Sequence, residues 1–200
     1  MIQPIVEGHG DVPAVPILLR KLAELMGIPH IDIGYPIRAP RSKLMQQDGM
    51  TKYVQMARSQ PGCKGILVVF DADDLCPKTD SVSLRQWADI AAQPLPCSLV
   101  LPNREYEGWF LACIDVLMEV RNVHPVRTFP NNSDDKRGAK EAIEEYMGTG
   151  FHYFEKTDQP SLTAQADWSL VHQRSRSFRK MVKEARNLFV QYGETPCQWP

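Results

Sequence analysis

Residues 65–74 read GILVVFDADD, an apolar run that ends in the acidic side chains of Asp71, Asp73 and Asp74. A continuous aliphatic run of this length is typical of a strand that is buried on both faces, as in parallel sheets. Carboxylates that lie within about 4 Å of each other repel by roughly 4 kcal/mol per pair at an effective dielectric constant near 20. Because such a group does not stabilise a fold, its place at a strand end implies a counter-ion or raised pKa values.

The flanking sequence alternates strands with helices. Further strands are predicted over residues 2–6, 28–37 and 97–102. Helices are predicted to begin near Pro13 and to cover residues 43–58, 83–92 and 104–120. This alternation predicts an α/β fold, a Rossmann-like sheet of about four mainly parallel strands flanked by helices.

The predicted strands stop beyond residue 121. The segment 124–138 has the composition of a loop, and helices are predicted over 138–147 and 175–191. We therefore expect an α/β domain over residues 1–147 and a helical C-terminal extension, residues 148–200, packed on the same domain.

Charge restricts the classes of partner. The 200 residues carry 23 basic and 24 acidic side chains, with a formal net charge of −1, so the chain as a whole is not a polycation. Nucleic-acid binding therefore requires local clustering of charge. A basic, amphipathic helix is predicted around residues 172–186, and an ordinary solvated surface helix explains it equally well. Its candidate phosphate contacts are Arg174, Arg176, Arg179, Lys180 and Lys183.

The cysteines and the hydropathy of the sequence indicate the cellular compartment of the protein. The five cysteines are odd in number and form no Cys-x-x-Cys pair, which argues against a disulfide framework or a zinc knuckle. The N-terminus lacks the pattern of a signal peptide, and no segment approaches about 18 uninterrupted apolar residues. We expect a cytoplasmic protein that does not enter a membrane.

Acidic residues follow three of the four predicted strands. In parallel sheets the carboxyl ends of the strands lie at one edge, where side chains from different loops converge. Oxygen ligands without a Cys or His cluster favour Mg²⁺, Mn²⁺ or Ca²⁺ over zinc. Taken singly, the same acids also suit helix N-termini and solvated loops. The acids after the first, third and fourth strands are Glu7 and Asp11, Asp71 and Asp73, and Glu105 and Glu107.

Three blocks, in this order, resemble the TOPRIM fold of topoisomerases and primases: IVEGHGD (5–11), VVFDADD (68–74) and REYEGWFLA (104–112). Over roughly residues 1–145 the chain is similar to a prokaryotic TOPRIM-like family of unknown function. It also resembles the nuclease domain of the overcoming-lysogenization-defect (OLD) nucleases. In those enzymes a Glu-x-x-x-Asp turn, an Asp-x-Asp pair, a further acid and a downstream lysine hold two metal ions.

The resemblance assigns roles to residues of this chain. It places the lysine at Lys140 or Lys136, and Lys140 is preferred because it opens a predicted helix with Ala139, Ile143 and Met147 on one apolar face. The implied ligands of Mg²⁺ or Mn²⁺ are Glu7, Asp11, Asp71 and Asp73, with Glu105 or Glu107 as the further acid.

The function that the resemblance implies is metal-dependent hydrolysis of phosphodiester bonds in DNA or RNA, with Glu7, Asp71 and Lys140 in catalytic roles. The chain has no Gly-x-x-x-x-Gly-Lys-[Ser/Thr] phosphate loop, so an ATPase partner would be a separate subunit. The resemblance also implies a role in anti-phage defence and leaves the oligomeric state open.

Two alternatives fit part of the sequence. A TOPRIM-like module that binds metal or a partner without cutting would keep the same ligands. A haloacid-dehalogenase-like phosphatase also has an apolar strand that ends in Asp-x-Asp, with Asp71 as the nucleophile. That motif normally opens its fold, however, and it leaves Glu7 unexplained.

Overall fold

The computed structural model describes residues 1–76, 78–117, 120–124 and 127–199. Within these ranges the chain forms one parallel sheet in the strand order β2-β1-β3-β4. The strands are β1 (Ile2–Val6), β2 (Ile37–Arg38), β3 (Gly65–Val69) and β4 (Cys97–Val100). In the register, Val6 pairs with Arg38 and Val69, and Val69 pairs with Val100. All strands therefore end at the same edge, and the predicted parallel α/β sheet is confirmed.

Helices cover both faces of this sheet. None of those in the described ranges is long and apolar enough to cross a membrane. Short 3₁₀ turns occur at Ile114–Val116, Val120–Asn122 and Ser133–Asp135. The α-helices are α1 (Asp11–Leu25), α2 (Arg41–Leu44), α3 (Gln47–Arg58), α4 (Ser81–Ala92), α5 (Gly108–Ala112), α6 (Ala139–Glu144), α7 (Glu155–Gln165), α8 (Trp168–Arg174) and α9 (Arg176–Tyr192).

Alternate residues of β3 face two hydrophobic cores. Leu67 and Val69 belong to a core that they share with α1, α5 and α9, whereas Ile66 and Val68 belong to a core shared with α3 and α4. Successive side chains of a strand point to opposite faces, so a strand covered on both faces must be apolar throughout. This explains the uninterrupted run at residues 65–70.

Most predicted elements around the sheet are confirmed. Strands β1, β3 and β4 lie within their predicted ranges, and α4 and α9 match theirs to within two residues. The first helix begins at Asp11, two residues before Pro13 and in agreement with the predicted start. Pro13 then occupies the first turn, where a missing amide donor costs little.

The second predicted strand is mostly wrong. Of residues 28–37, only Ile37 belongs to β2, and Ile33 makes an isolated bridge to Ile2. Pro29, Gly34 and Pro36 interrupt the segment, and Pro cannot donate to a strand ladder.

Three predicted helices are shorter than expected. The helix over 43–58 is divided into α2 and α3, because Gln46 has an extended backbone. The helix over 104–120 is only α5 and the turn Ile114–Val116; Arg104 has a φ of 65°, which is incompatible with a helix, and residues 118–119 lie outside the described residues. The helix over 138–147 is α6, which ends at Glu144.

The helices α7 and α8 were not predicted. Pro160 lies inside α7, and the helix is largely polar, so its sequence lacks a clear apolar stripe. In the folded chain α7 packs against α1, and α9 packs against β3, β4 and α1. The hydrophobic core is therefore continuous across residue 147.

A buried carboxylate links α9 to the sheet. Glu184 accepts hydrogen bonds from Arg85 Nη1 of α4 at 3.0 Å, from Ser98 Oγ of β4 at 2.7 Å, and from Lys180. Burial alone would raise the pKa of Glu184, but these three donors outweigh burial and lower the pKa to about 2. The Glu184 carboxylate is therefore charged in the folded protein at neutral pH.

We expect Glu184→Gln to lower the free energy of unfolding by about 2 kcal/mol at neutral pH, because hydrogen bonds to charged groups contribute about 1.5–3 kcal/mol each. The folded-state pKa lies below the ordinary value of 4.5, so this contribution is present above pH 4.5 and is lost as the pH falls towards 2. Urea unfolding at neutral and acidic pH measures both effects.

The matched control is Asp89→Asn, which removes a half-exposed carboxylate 3.7 Å from the same arginine. This substitution should lower the free energy of unfolding by less than about 1 kcal/mol, as for other exposed ion pairs. Equal losses in the two variants would contradict the anchoring role of Glu184.

Candidate functional site

Four acidic side chains converge at the carboxyl edge of the sheet. Glu7 and Asp11 follow β1, Asp71 follows β3 and Glu107 follows β4; we call these four residues the carboxylate cluster. Burial raises the pKa of Asp71 well above its usual value, and the charges of Glu107, Asp11 and Glu7 raise it further. Members that follow three different strands therefore interact electrostatically, as the sequence predicts for acids at neighbouring strand ends.

The turn after β1 is held by Asp11. Its Oδ2 accepts a hydrogen bond from the Gly8 amide at 2.8 Å, and its Oδ1 accepts one from Gln159 Nε2 at 2.6 Å. A Cβ at Gly10 would lie 2.0 Å from Gln159 Oε1, so a side chain there would displace α7. The turn presents Glu7, whose Oε2 is buried and has no hydrogen-bond partner among the described residues.

Burial raises the pKa of both acids in this turn. For Glu7 the charge of Arg41 opposes the effect of burial, and for Asp11 the hydrogen bonds from Gly8 and Gln159 oppose it. A buried, unpaired carboxylate oxygen is rare in proteins and indicates a ligand or an ordered water. Glu7 is therefore the member of the cluster best placed to accept a cation.

Arg41 binds the loop after β3. Its guanidinium donates to the carbonyl oxygens of Asp71 and, at 2.9 Å, of Ala72, and its Nε lies 3.2 Å from Asp73 Oδ2. Asp71 Oδ1 accepts a hydrogen bond from the Tyr106 amide at 2.9 Å. The loop is thus fixed from two sides.

The side chain of Asp73 points towards Arg41 and not in the same direction as that of Asp71. Residues two apart in an extended strand would point to the same side, but the φ of Asp73 is 48°, in the left-handed region. The strand alternation therefore ends before residue 73. Asp73 remains close enough for its charge to raise the pKa of Glu7.

The two acids after β4 have different surroundings. Glu105 accepts hydrogen bonds from the amides of Gly138 and Ala139 at 2.7 and 3.1 Å, and so it caps the start of α6. Glu107 is only 2% exposed, and its Oε1 lies 3.8 Å from Lys140 Nζ. Burial raises the pKa of Glu107 to about 7, although Lys140 opposes this. Glu107 therefore faces the site, and Glu105 fixes the helix that carries Lys140.

Lys140 is the lysine that the structure brings to the acids. Its Nζ lies 2.8 Å from Glu155 Oε2 and 3.8 Å from Glu107 Oε1. Burial alone would lower its pKa, but the charges of Glu107, Glu155 and Asp71 outweigh burial and raise the pKa, so the ammonium is charged. Lys136 lies at the end of a 3₁₀ turn and, within the described ranges, makes no ion pair with these acids.

Three residues that contact the site are not indicated by the sequence. Arg41 follows the edge strand β2, while Glu155 and Gln159 lie on the unpredicted helix α7. A basic residue after a strand was a weak signal for Arg41. No local pattern indicates that α7 lies against the turn after β1.

All five candidate phosphate contacts of the C-terminal region are exposed, but three of them also make polar contacts within the chain. Arg174 pairs with a carboxylate at 2.6 Å, Arg179 donates to two carbonyl oxygens at 3.0 and 3.1 Å, and Lys180 pairs with the buried Glu184. Arg176 and Lys183 are exposed. Much of the predicted phosphate-binding charge is thus used within the chain.

The donors of the cluster suit a hard divalent cation, since they are carboxylate oxygens and include the unpaired Glu7 Oε2. In the described part of the chain, however, no three His, Cys, Asp or Glu side chains are already arranged to hold a metal ion. Binding a metal ion would therefore require the carboxylates to move towards it.

Known proteins give no independent indication of what this site does. Comparisons with protein-family models, with curated proteins and with solved structures find no match. The residues and their geometry are therefore the basis for any functional proposal.

We expect Asp71→Asn to stabilise the metal-free protein by about 0.5–2 kcal/mol at about pH 8, the usual range for a stabilising substitution. The amide removes a buried charge that Glu107 and Asp11 disfavour, and its oxygen still accepts the Tyr106 hydrogen bond. Thermal or urea unfolding in EDTA measures the difference. Asp48→Asn, an exposed acid in the first turn of α3, is the control and should not stabilise the protein.

The advantage of Asp71→Asn should depend on pH. The pKa of Glu107 is about 7 in the folded chain, above its ordinary value of 4.5, so the penalty on folding is complete above pH 7 and is relieved progressively as the pH falls from 7 towards 4.5. The wild-type protein should therefore gain stability between about pH 8 and about pH 6, and the variant should gain less. A pH-independent difference would contradict this account of the repulsion.

Proposed function

We propose that the protein is a divalent-metal-dependent nuclease that hydrolyses phosphodiester bonds in DNA or RNA at the carboxyl edge of the sheet. The observation that carries the proposal is the convergence of the carboxylate cluster with the charged ammonium of Lys140. Perturbed carboxylates that oppose folding are characteristic of functional sites. The order of the elements and the acids after β1, β3 and β4 also support the TOPRIM-like relationship.

The residues that would hold Mg²⁺ or Mn²⁺ are Glu7, Asp71 and Glu107, with Asp11 behind them. When bound, a divalent cation polarises phosphoryl oxygens and lowers the pKa of its bound water. Asp11 is less free to act directly, because each of its oxygens already accepts a hydrogen bond. The OLD-like resemblance implies two ions and includes Asp73 among their ligands, and Asp73 would have to leave Arg41 to bind one of them.

Lys140 is placed to neutralise charge on a phosphate. Its ammonium lies between Glu107 and Glu155, so it is oriented before substrate arrives. A preorganised donor of this kind stabilises the charge that develops in the transition state. Glu105 contributes indirectly, because it caps the helix that carries Lys140.

A non-catalytic binding module is the second candidate. Arg41 and Lys140 already offset part of the negative charge, and the described residues contain no ready-made metal shell. The phosphatase alternative is less compatible with the site, because it gives no role to the buried, unpaired Glu7 Oε2. An ATPase in a separate chain and a role in anti-phage defence remain part of the nuclease proposal.

The proposal predicts cleavage that requires a divalent metal. Labelled single-stranded and duplex DNA and RNA are incubated with the protein and Mg²⁺ or Mn²⁺, with EDTA as the blank. Glu7→Gln and Lys140→Met should each slow cleavage by about 100-fold or more, the usual loss when a transition-state contact is removed. Lys136→Met is the matched control and should retain the wild-type rate.

Cleavage that survives Glu7→Gln would contradict the assignment of the site. If Lys136→Met loses activity and Lys140→Met does not, the catalytic lysine is Lys136 and the assignment of Lys140 is wrong. Metal binding without cleavage of any of the four substrates would support the binding module instead.

A further inference from the structure

A groove with basic and aromatic walls lies beside the carboxylate cluster. It has a volume of about 530 Å³, within the usual range for ligand sites of roughly 300–1,000 Å³. His9, Tyr35, Arg38 and Lys156 line it together with proline and valine side chains. Among the described residues the lining contains no acid, so the groove is complementary in charge to a phosphate backbone.

The chain connects this groove directly to the cluster. Arg38 ends β2 and pairs in register with Val6, the residue before Glu7. His9 lies in the turn between Glu7 and Asp11, and Lys156 follows Glu155, the partner of Lys140. Residues of the groove are therefore neighbours, in sequence or in strand register, of residues in and around the cluster.

Tyr35 presents its ring to solvent from a fixed backbone. The side chain is 83% exposed, whereas tyrosine side chains are typically intermediate in burial. Its carbonyl oxygen accepts a hydrogen bond from Gln3 Nε2 at 2.7 Å, and Pro36 follows it. An exposed ring beside phosphate-binding cations is the arrangement that proteins use to stack unpaired bases.

We propose that this groove binds a single-stranded segment of the nucleic-acid substrate, with Tyr35 stacked on a base and Arg38 and Lys156 on phosphates. In a duplex the faces of the bases are covered by their neighbours, so stacking on Tyr35 selects unpaired strands. This inference rests on the proposed nuclease function and specifies the form of its substrate. The proposed binding surface is then the edge of the sheet beside β2, and not the C-terminal helix α9.

The test measures binding without cleavage. Fluorescence anisotropy in EDTA follows the binding of a labelled thymidine oligomer of ~12 nucleotides, of the corresponding uridine oligomer, and of a duplex of equal length. The wild-type protein should bind a single strand more tightly than the duplex, and the two oligomers distinguish DNA from RNA. Tyr35→Ala should weaken binding about fivefold or more, whereas Tyr35→Phe should retain it.

Arg38→Ala and Lys156→Ala should weaken binding and make it less dependent on salt, since each removes a phosphate contact. Arg176→Ala and Lys183→Ala on α9 are the charge-matched controls and should bind like the wild-type protein. The proposal is overturned if the control variants lose as much affinity as the groove variants, or if the duplex binds as tightly as the single strands.

The experiments distinguish failure of the groove proposal from failure of the nuclease proposal. Binding through the groove without cleavage in Mg²⁺ or Mn²⁺ would refute the nuclease and keep the groove as a binding site. Metal-dependent cleavage that is unchanged in Tyr35→Ala, Arg38→Ala and Lys156→Ala would refute the groove alone.

Discussion

Mutual repulsion among buried carboxylates is the constraint on which the rest of this structure depends. Asp71 lies within the field of Glu107, Asp11 and Glu7, and burial weakens the screening that water would provide. The surrounding residues hold these groups in place despite the cost. Arg41 binds the loop after β3, the Tyr106 amide binds Asp71, and Gln159 binds Asp11. Such an arrangement lowers stability, which is a common cost of a functional site.

The helical C-terminal extension completes this site. Its helix α7 supplies Gln159 to Asp11 and Glu155 to Lys140, and it packs closely enough on the first turn to require glycine at residue 10. Its helix α9 is anchored to the sheet through Glu184. The helices α7 and α9 therefore pack on the same core as the sheet, and α7 contributes directly to the proposed active site.

The sequence predicts the sheet and the convergence of acids because both depend on local patterns. A continuous aliphatic run indicates a strand covered on both faces, and parallel strands end at one edge, which places Glu7, Asp71 and Glu107 together. The side-chain roles depend on contacts between distant residues. The left-handed φ of Asp73, the capping of α6 by Glu105 and the packing of α7 have no local signal that separates them from alternatives. The same limit applies to the basic face of α9, because its internal ion pairs appear only in the folded chain.

The most direct test of the central claim is isothermal titration calorimetry of the metal-free protein with Mn²⁺ in buffers of different ionisation enthalpy. Since metal binding requires deprotonated ligands, the account predicts saturable binding with release of protons at about pH 6, where Glu107, with a pKa of about 7, is largely protonated; the raised pKa of Asp71 acts in the same direction. Asp71→Asn should abolish most of the binding, and Asp48→Asn should leave it unchanged. Absence of saturable binding in the wild-type protein, or equal binding by Asp71→Asn, would contradict the account.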